Sequence, residues 1–200
     1  MKSPLRYPGG KTRAVKTIME FIPEDCGELC SPFLGGGSVE LALAEKGTKV
    51  YGYDLFEPLG WFWKALLEDP KKLAFEADKL RKKHDLFELK NEKVKGLLKE
   101  KFKEIREDLK KETEYSISNA AKFYAINRSS FSGATFSGGW SRRAAYARFT
   151  DSSIKRVKDF KEPNIVVECK DFKESIPLHP DAFLYLCLLY TSDAADEQLS

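Results

Sequence analysis

Two short glycine-bearing runs and one aspartate carry the first chemical signal in this 200-residue sequence. Pro32-Phe33-Leu34-Gly35-Gly36-Gly37 sits between an apolar stretch and a helix-like run, and Asp54 follows nineteen residues beyond Gly35. A glycine loop between strand and helix lets backbone N–H groups approach a ligand closely, and a carboxylate after the next strand can accept hydrogen bonds from both ribose hydroxyls. Three consecutive glycines depart from the G-x-G-x-x-G of dinucleotide sites and fit a loop passing under a nucleoside without phosphates, such as S-adenosylmethionine. The bland alternative is a tight turn with an aspartate cap. The other run, Arg6-Tyr7-Pro8-Gly9-Gly10-Lys11, leads into a helix, where Lys11 and the helix N-terminus could hold a carboxylate with Tyr7 covering it. The methionyl end of S-adenosylmethionine has such a carboxylate; an exposed turn with a solvated lysine is the alternative.

These groups need elements to position them. Val15, Ile18, Met19 and Ile22 recur at helical spacing over residues 11–22, and Pro23 stops the run. Glu28-Leu29-Cys30 predicts a short strand into the glycine loop. Ser38 is expected to cap a helix through Lys46 that Gly47 ends, and Lys49-Val50-Tyr51-Gly52-Tyr53 predicts a second strand with Asp54 at its C-terminal end. The unit is β-α-β. Over residues 55–112 the pattern turns helical and charged, with Trp61, Phe62, Leu66 and Leu67 in a helix that Asp69-Pro70 breaks. Leu86, Leu89, Val94, Leu97, Leu98, Phe102, Ile105 and Leu109 then keep a beat of roughly 3.5 residues, which predicts one or two surface helices or a helical hairpin. Residues 118–127 predict another helix, followed by a loop rich in Ser, Gly and aromatic residues as far as Thr150. Strand character resumes at 164–169 and 182–186. Strands at both ends with helical, basic sequence between them predict one sheet domain carrying an insertion.

Composition narrows the class. With 42% apolar and 32% charged residues, the chain is an ordinary soluble one. Its first twenty residues hold six charged side chains and two prolines, so neither a signal peptide nor a membrane anchor is expected, and a cytoplasmic location is the default. Cys26, Cys30, Cys169 and Cys187 form no CxxC pair and lack a histidine cluster, which predicts free thiols rather than a zinc site or disulfides. Neither His84 nor His179 has catalytic company. Charge is uneven: residues 122–158 hold eight Lys/Arg against Asp151 alone, and residues 162–200 hold two lysines against eight acids. The basic stretch interleaves Phe123, Tyr124, Phe131, Phe136, Trp140, Tyr146 and Phe149. Such a mixture suits nucleic acid, or equally a solvated surface with aromatics turned into a core.

Taken together and in order, Tyr-Pro-Gly-Gly-Lys at 7–11, Pro-Phe-Leu-Gly-Gly-Gly-Ser-Val at 32–39, Tyr-Asp-Leu-Phe-Glu-Pro at 53–58 and Asn-Arg-Ser-Ser-Phe-Ser-Gly at 127–133 resemble the Dam-type DNA adenine-N6 methyltransferases. The resemblance spans residues 4–186. It implies an α/β, Rossmann-like, S-adenosylmethionine-dependent methyltransferase sheet with an inserted, mostly helical target-recognition region. On that basis residues 1–55 form the cofactor-binding half of the catalytic domain, 56–160 the basic insertion and 161–186 the return to the sheet. Tyr7, Gly9 and Lys11 would meet the methionyl carboxylate, Phe33, Gly35, Gly36 and Gly37 would line the cofactor, and Asp54 would bind the ribose. Asp171 and Phe172 would lie at the cofactor adenine. Arg128, Ser129, Ser130, Arg142, Arg143 and Arg148 would meet duplex DNA. No metal and no membrane are implied, and the oligomeric state is unreadable, with a monomer as the default.

The family's Asp-Pro-Pro-Tyr should follow Phe183-Leu184-Tyr185-Leu186, but the sequence reads Cys187-Leu188-Leu189-Tyr190, leaving Tyr190 as the only remnant of the catalytic motif. The N6 lone pair of adenine is delocalised into the ring, and acceptors on the amino hydrogens are needed to localise it for attack on a sulfonium methyl. Cys187 supplies no carboxylate. From Cys187 onward the sequence looks like translated sequencing-adapter DNA, so residues 187–200 are expected to be a non-native tail, with the C-terminal part of the sheet missing and the fragment inactive. A non-catalytic DNA-binding relic of the same fold is the alternative; an NAD-dependent oxidoreductase, resting on the glycine loop and Asp54 alone, ranks last.

Overall fold

Short, mostly buried runs at 29–31 and 50–53, with the glycine loop between them, produce the expected β-α-β start. The computed structural model describes residues 2–85, 93–161 and 164–188; the side chains of 82–85 and 93–95 also fall outside the description. Strand β1 (Glu28–Ser31) runs into the glycine loop, helix α2 (Ser38–Ala44) returns across the sheet, and β2 (Lys49–Asp54) pairs parallel to β1. Ahead of them lies the short helix α1 (Val15–Met19). Far along the chain, β5 (Ile165–Cys169) adds to the outer side of β2, and β6 (Phe183–Leu184) to the outer side of β1. The result is a four-stranded, all-parallel sheet in the order β5-β2-β1-β6. Leu29 stands opposite Val50 and Phe183, and Val50 opposite Ile165; Leu29, Val50 and Ile165 are buried in one core with Val39, Leu41, Leu59 and Phe62. The chain is therefore a mixed α/β protein with a Rossmann-like parallel sheet.

Helices between β2 and β5 share that core. Helices α3 (Glu57–Glu68) and α4 (Pro70–Lys79) are separated at Asp69, whose side chain accepts from the Lys72 N–H at 2.9 Å and so caps α4. Helix α5 (Lys99–Leu109) buries Phe102, Ile105 and Leu109, the stripe that its 3.6-residue periodicity places on one side. Helix α6 (Ile117–Ser129) is buried nearly all round, and its Tyr124 ring stacks on Phe62 of α3 at 5.4 Å. The Tyr124 hydroxyl donates to the Ser153 carbonyl at 3.0 Å. Two shorter helices, α7 (Arg142–Ala147) and α8 (Asp151–Lys158), follow before β5. Arg81 is buried between Asp78 and Asp151 and ties α4 to α8. After β5 comes α9 (Phe172–Ser175). Among the described residues, no helix is long and apolar enough to cross a membrane.

Four expectations are corrected. The helical beat starts only at Lys99, because β3 (Lys82–Asp85) and β4 (Lys93–Gly96) form an antiparallel ribbon whose Lys-Val-Lys alternation has period two. Leu86 and Leu89 lie outside the described residues. Helix α1 begins at Val15 rather than Lys11, since residues 11–14 are held in turns. Ser38 is not the cap of α2: Gly37, at φ 62°, occupies that position, and the Ser38 hydroxyl meets that of Thr12 at 3.0 Å. The stretch expected as loop up to Thr150 contains α7, where the Ser141 side chain accepts from the Ala144 N–H.

Candidate cofactor pocket and basic surface

At the carboxyl end of a parallel sheet, the loop leaving each strand is free to face a ligand. Here the loop after β1 meets the N-terminal turn, and a pocket opens between them. Tyr7 to Lys11 form one wall, Phe33 to Gly37 another, and Glu40, Tyr185 and Cys187 are also in the lining.

The geometry of the glycine loop follows from what presses on it. Gly35 and Gly37 have φ of 49° and 62°, a region that side chains with a Cβ rarely adopt. Tyr7 lies so close that a Cβ at Gly35 would come within 2.9 Å of Tyr7 Cε1, and one at Gly36 within 3.0 Å of Tyr7 Cβ. From the other side, a Cβ at Gly37 would be 2.8 Å from Trp63 Cζ2, while the Trp63 indole N–H donates to the Gly35 carbonyl at 3.1 Å. Asp54 at the end of β2 accepts from the Gly35 N–H at 2.9 Å and from the Phe56 N–H at 3.1 Å. Burial pushes the Asp54 carboxyl above its ordinary pKa, and these backbone N–H groups oppose the shift. Its carboxylate thus ties the loop to the start of α3 and stands behind the pocket wall. A carboxylate has about four acceptor sites, so capacity remains for further donors.

Lys11 folds over its own turn, donating to the Gly9 carbonyl at 2.8 Å. Because α1 starts four residues later, no helix N-terminus assists it. Phe33 and Phe172 are brought together, their ring centroids 5.6 Å apart, and Asp171 caps α9 by accepting from the Lys173 N–H at 2.8 Å. Aromatic faces, close-approach backbone, one ammonium and the carboxyls of Asp54 and Glu40 are groups that fit a nucleoside bearing an amino-acid end. Another cleft shares Tyr7 and is lined by Phe56 and the loop from Gly133 to Ser137. Two non-glycine residues near it, Ser132 and Thr135, hold positive φ of 52° and 46°, so that loop is strained.

The basic residues divide. Arg142, Arg143 and Arg148 are exposed, the first two at the start of α7. Arg128, Ser129 and Ser130, expected at the DNA, are buried instead. Arg128 donates through Nε to the Arg148 carbonyl at 2.9 Å and through Nη1 to the Pro4 carbonyl at 3.3 Å. Beside it, the Asn127 amide accepts from the Arg6 N–H at 3.0 Å and donates to the Arg6 carbonyl at 2.6 Å, and Arg6 Nη1 donates to the Ser130 carbonyl at 3.1 Å. The Asn-Arg-Ser-Ser run therefore braces the N-terminal turn against α6. Tyr190 lies outside the described residues.

Glu40, Tyr185 and Cys187 were not among the expected cofactor residues. Glu40 left a trace in the sequence, being the one charged residue in the otherwise small and apolar Ser-Val-Glu-Leu-Ala-Leu-Ala of α2. Tyr185 left none, because its place follows from β6 pairing with β1, where the Tyr185 N–H donates to the Cys30 carbonyl at 2.9 Å. His179 stacks on Tyr51 at 3.9 Å and shares a 2.6 Å hydrogen bond with the Tyr53 hydroxyl. Among the described residues, no cluster of His, Cys, Asp and Glu is arranged to hold a metal ion.

In comparison with known families, the model for D12 class N6 adenine-specific DNA methyltransferase matches residues 7–186. No curated protein matches the chain.

Proposed function

The chain belongs to the D12 class N6 adenine-specific DNA methyltransferase family, and from that premise we propose that its glycine-lined pocket takes S-adenosylmethionine while the basic insertion presents duplex DNA. The observation that carries this reading is the convergence of Tyr7, Lys11, Phe33 and Gly35 to Gly37 on one pocket at the carboxyl end of β1. Bound there, S-adenosylmethionine would supply an electrophilic methyl group for N6 of a target adenine.

The chain's own residues have separable tasks. Lys11 offers its ammonium to the methionyl carboxylate, and Tyr7 roofs that end of the pocket. Phe33 and Phe172 offer ring faces to the cofactor adenine, with Asp171 beside them at the head of α9. Asp54 holds the glycine loop in place and directs its remaining acceptor sites toward the ribose. Enzymes that modify a base take it out of the stack, and the cleft lined by Phe56 and residues 133–137 is our candidate for receiving it.

Among the described residues, no carboxylate follows β6, where the family's Asp-Pro-Pro-Tyr would place the acceptor for the amino hydrogens of adenine. Cys187 lines the pocket where a carboxylate would be needed. A thiol is a weak acceptor, so it cannot localise the N6 lone pair. We therefore read the chain as competent to bind and not to transfer. Incubating the purified chain with S-adenosylmethionine and unmethylated duplex DNA should give no N6-methyladenine by mass spectrometry, while titration with S-adenosylhomocysteine gives saturable binding. Methylated product would overturn the inactivity, and absence of nucleoside binding by the folded chain would overturn the cofactor reading.

A further inference from the structure

A carboxyl group inside a protein loses its hydration, and the loss is large unless charged or polar groups replace it. Glu40 on the first turn of α2 is 3% exposed, in a helix whose other buried residues are apolar. Its Oε1 accepts from the Ser31 hydroxyl at 2.7 Å, and backbone N–H groups of Val39 and Glu40 lie against it. Among the described residues no Lys or Arg pairs with it. Yet it borders the same pocket as Lys11. The pocket thus carries a cation in its N-terminal wall and a desolvated acid in its lining, the pattern that a zwitterion would match.

We propose that Glu40 is the anionic half of a zwitterion site, accepting a hydrogen bond from the α-ammonium of the ligand's methionyl end while Lys11 serves its carboxylate. The proposal rests on the reading of this pocket as the cofactor site. Ser31 acts as the positioning residue: its hydroxyl fixes one carboxylate oxygen, which leaves the acidic group oriented along the floor of α2. Without a cation beside it, burial holds the Glu40 carboxyl up at about 7, so near neutrality the acid is only partly ionised. An arriving ammonium favours the ionised form, so a proton leaves on binding, and affinity should rise as pH rises through that range. The titratable groups that line the pocket with Glu40 are Tyr7 and Lys11 from the N-terminal turn and Tyr185 and Cys187 beyond β6, of which Tyr185 interacts with it electrostatically; from β1, the Ser31 hydroxyl bonds to it. Burial raises Tyr7 and Tyr185 further above neutrality.

The test is calorimetric titration of the full chain and of Glu40→Gln with S-adenosylhomocysteine and with its desamino analogue, which keeps the carboxylate and lacks the ammonium. Loss of one charge-assisted hydrogen bond predicts that Glu40→Gln binds S-adenosylhomocysteine about 10- to 100-fold more weakly. Binding of the desamino analogue should be equally weak in both proteins. Between pH 6 and 8, affinity of the unsubstituted chain for S-adenosylhomocysteine should rise about tenfold, and that of Glu40→Gln should stay flat. Equal losses for both ligands, or a pH dependence that survives in Glu40→Gln, would overturn the proposal and leave Glu40 a structural residue. If the unsubstituted, folded chain bound neither nucleoside, the pocket reading itself would fall, an outcome distinct from the first.

Discussion

A guanidinium with only 7% of its surface exposed must find acceptors within the protein, and Arg128 finds the backbone carbonyls of Arg148 and Pro4. Burial lowers its pKa, with Arg6 and Arg148 adding to the effect. Arg128→Ala would leave both carbonyls unpaired and open a void under the N-terminal turn. The expected loss is about 3 kcal/mol, the scale for removing one member of a buried charged network, and urea denaturation would measure it. The salt dependence of DNA binding should be unchanged; a smaller salt slope at full stability would return Arg128 to the DNA surface. This role was not legible in the sequence. Arginine is among the least buried residue types, and its acceptors are main-chain atoms twenty and more than a hundred positions away. Lys11 and Tyr7 were easier to find because their neighbours in the pocket belong to short glycine motifs that announce a turn.

Elements bounded by local punctuation came through with small shifts: β1, α2 and β2 lie where Pro32, the glycine run and Gly47 delimit them. Those without such marks did not. The ribbon of β3 and β4 sits in a lysine-rich background where periods of two and 3.6 compete over only four residues per strand. The capping of α2 was misplaced by one residue, since a left-handed glycine can stand where a serine was expected. That glycine offers a direct test. Gly37→Ala places a methyl group against Trp63 and imposes the left-handed cost of about 1–2 kcal/mol. The Trp63 hydrogen bond to Gly35 would then strain, and the loop would shift from under Tyr7. Thermal denaturation should show the loss, and S-adenosylhomocysteine affinity should fall with it; unchanged values for both would mean the loop tolerates a side chain here.

Across the whole molecule, the excess of positive charge read from residues 122–158 resolves into a buried part and an exposed part. Arg142, Arg143, Arg148, Lys155, Arg156 and Lys158 remain exposed, clustered on α7, α8 and the turn between them. The aromatics split as well: Phe123, Tyr124 and Phe149 are core, and Phe131 is 70% exposed. Composition cannot sort charges and rings by depth, so the burial of Phe123, Tyr124 and Phe149 was not legible in it. If the arginines at the head of α7 meet phosphates, replacing Arg142 and Arg143 together by Ala should flatten the plot of log affinity against log salt by about 2. An unchanged slope, measured by fluorescence anisotropy on duplex DNA, would move the interface elsewhere.

The sheet order also sets a timetable for assembly. The neighbours that enclose β1 and β2 begin at Ile165 and Phe183, more than a hundred residues downstream. During synthesis the first two strands must wait, both flanks open, until the ribosome has delivered the helices between them and then the closing strands. Long-range pairing of this kind makes folding slow and leaves early strand edges open to aggregation. The waiting period, more than the strength of the finished sheet, is where a chaperone would matter to this protein.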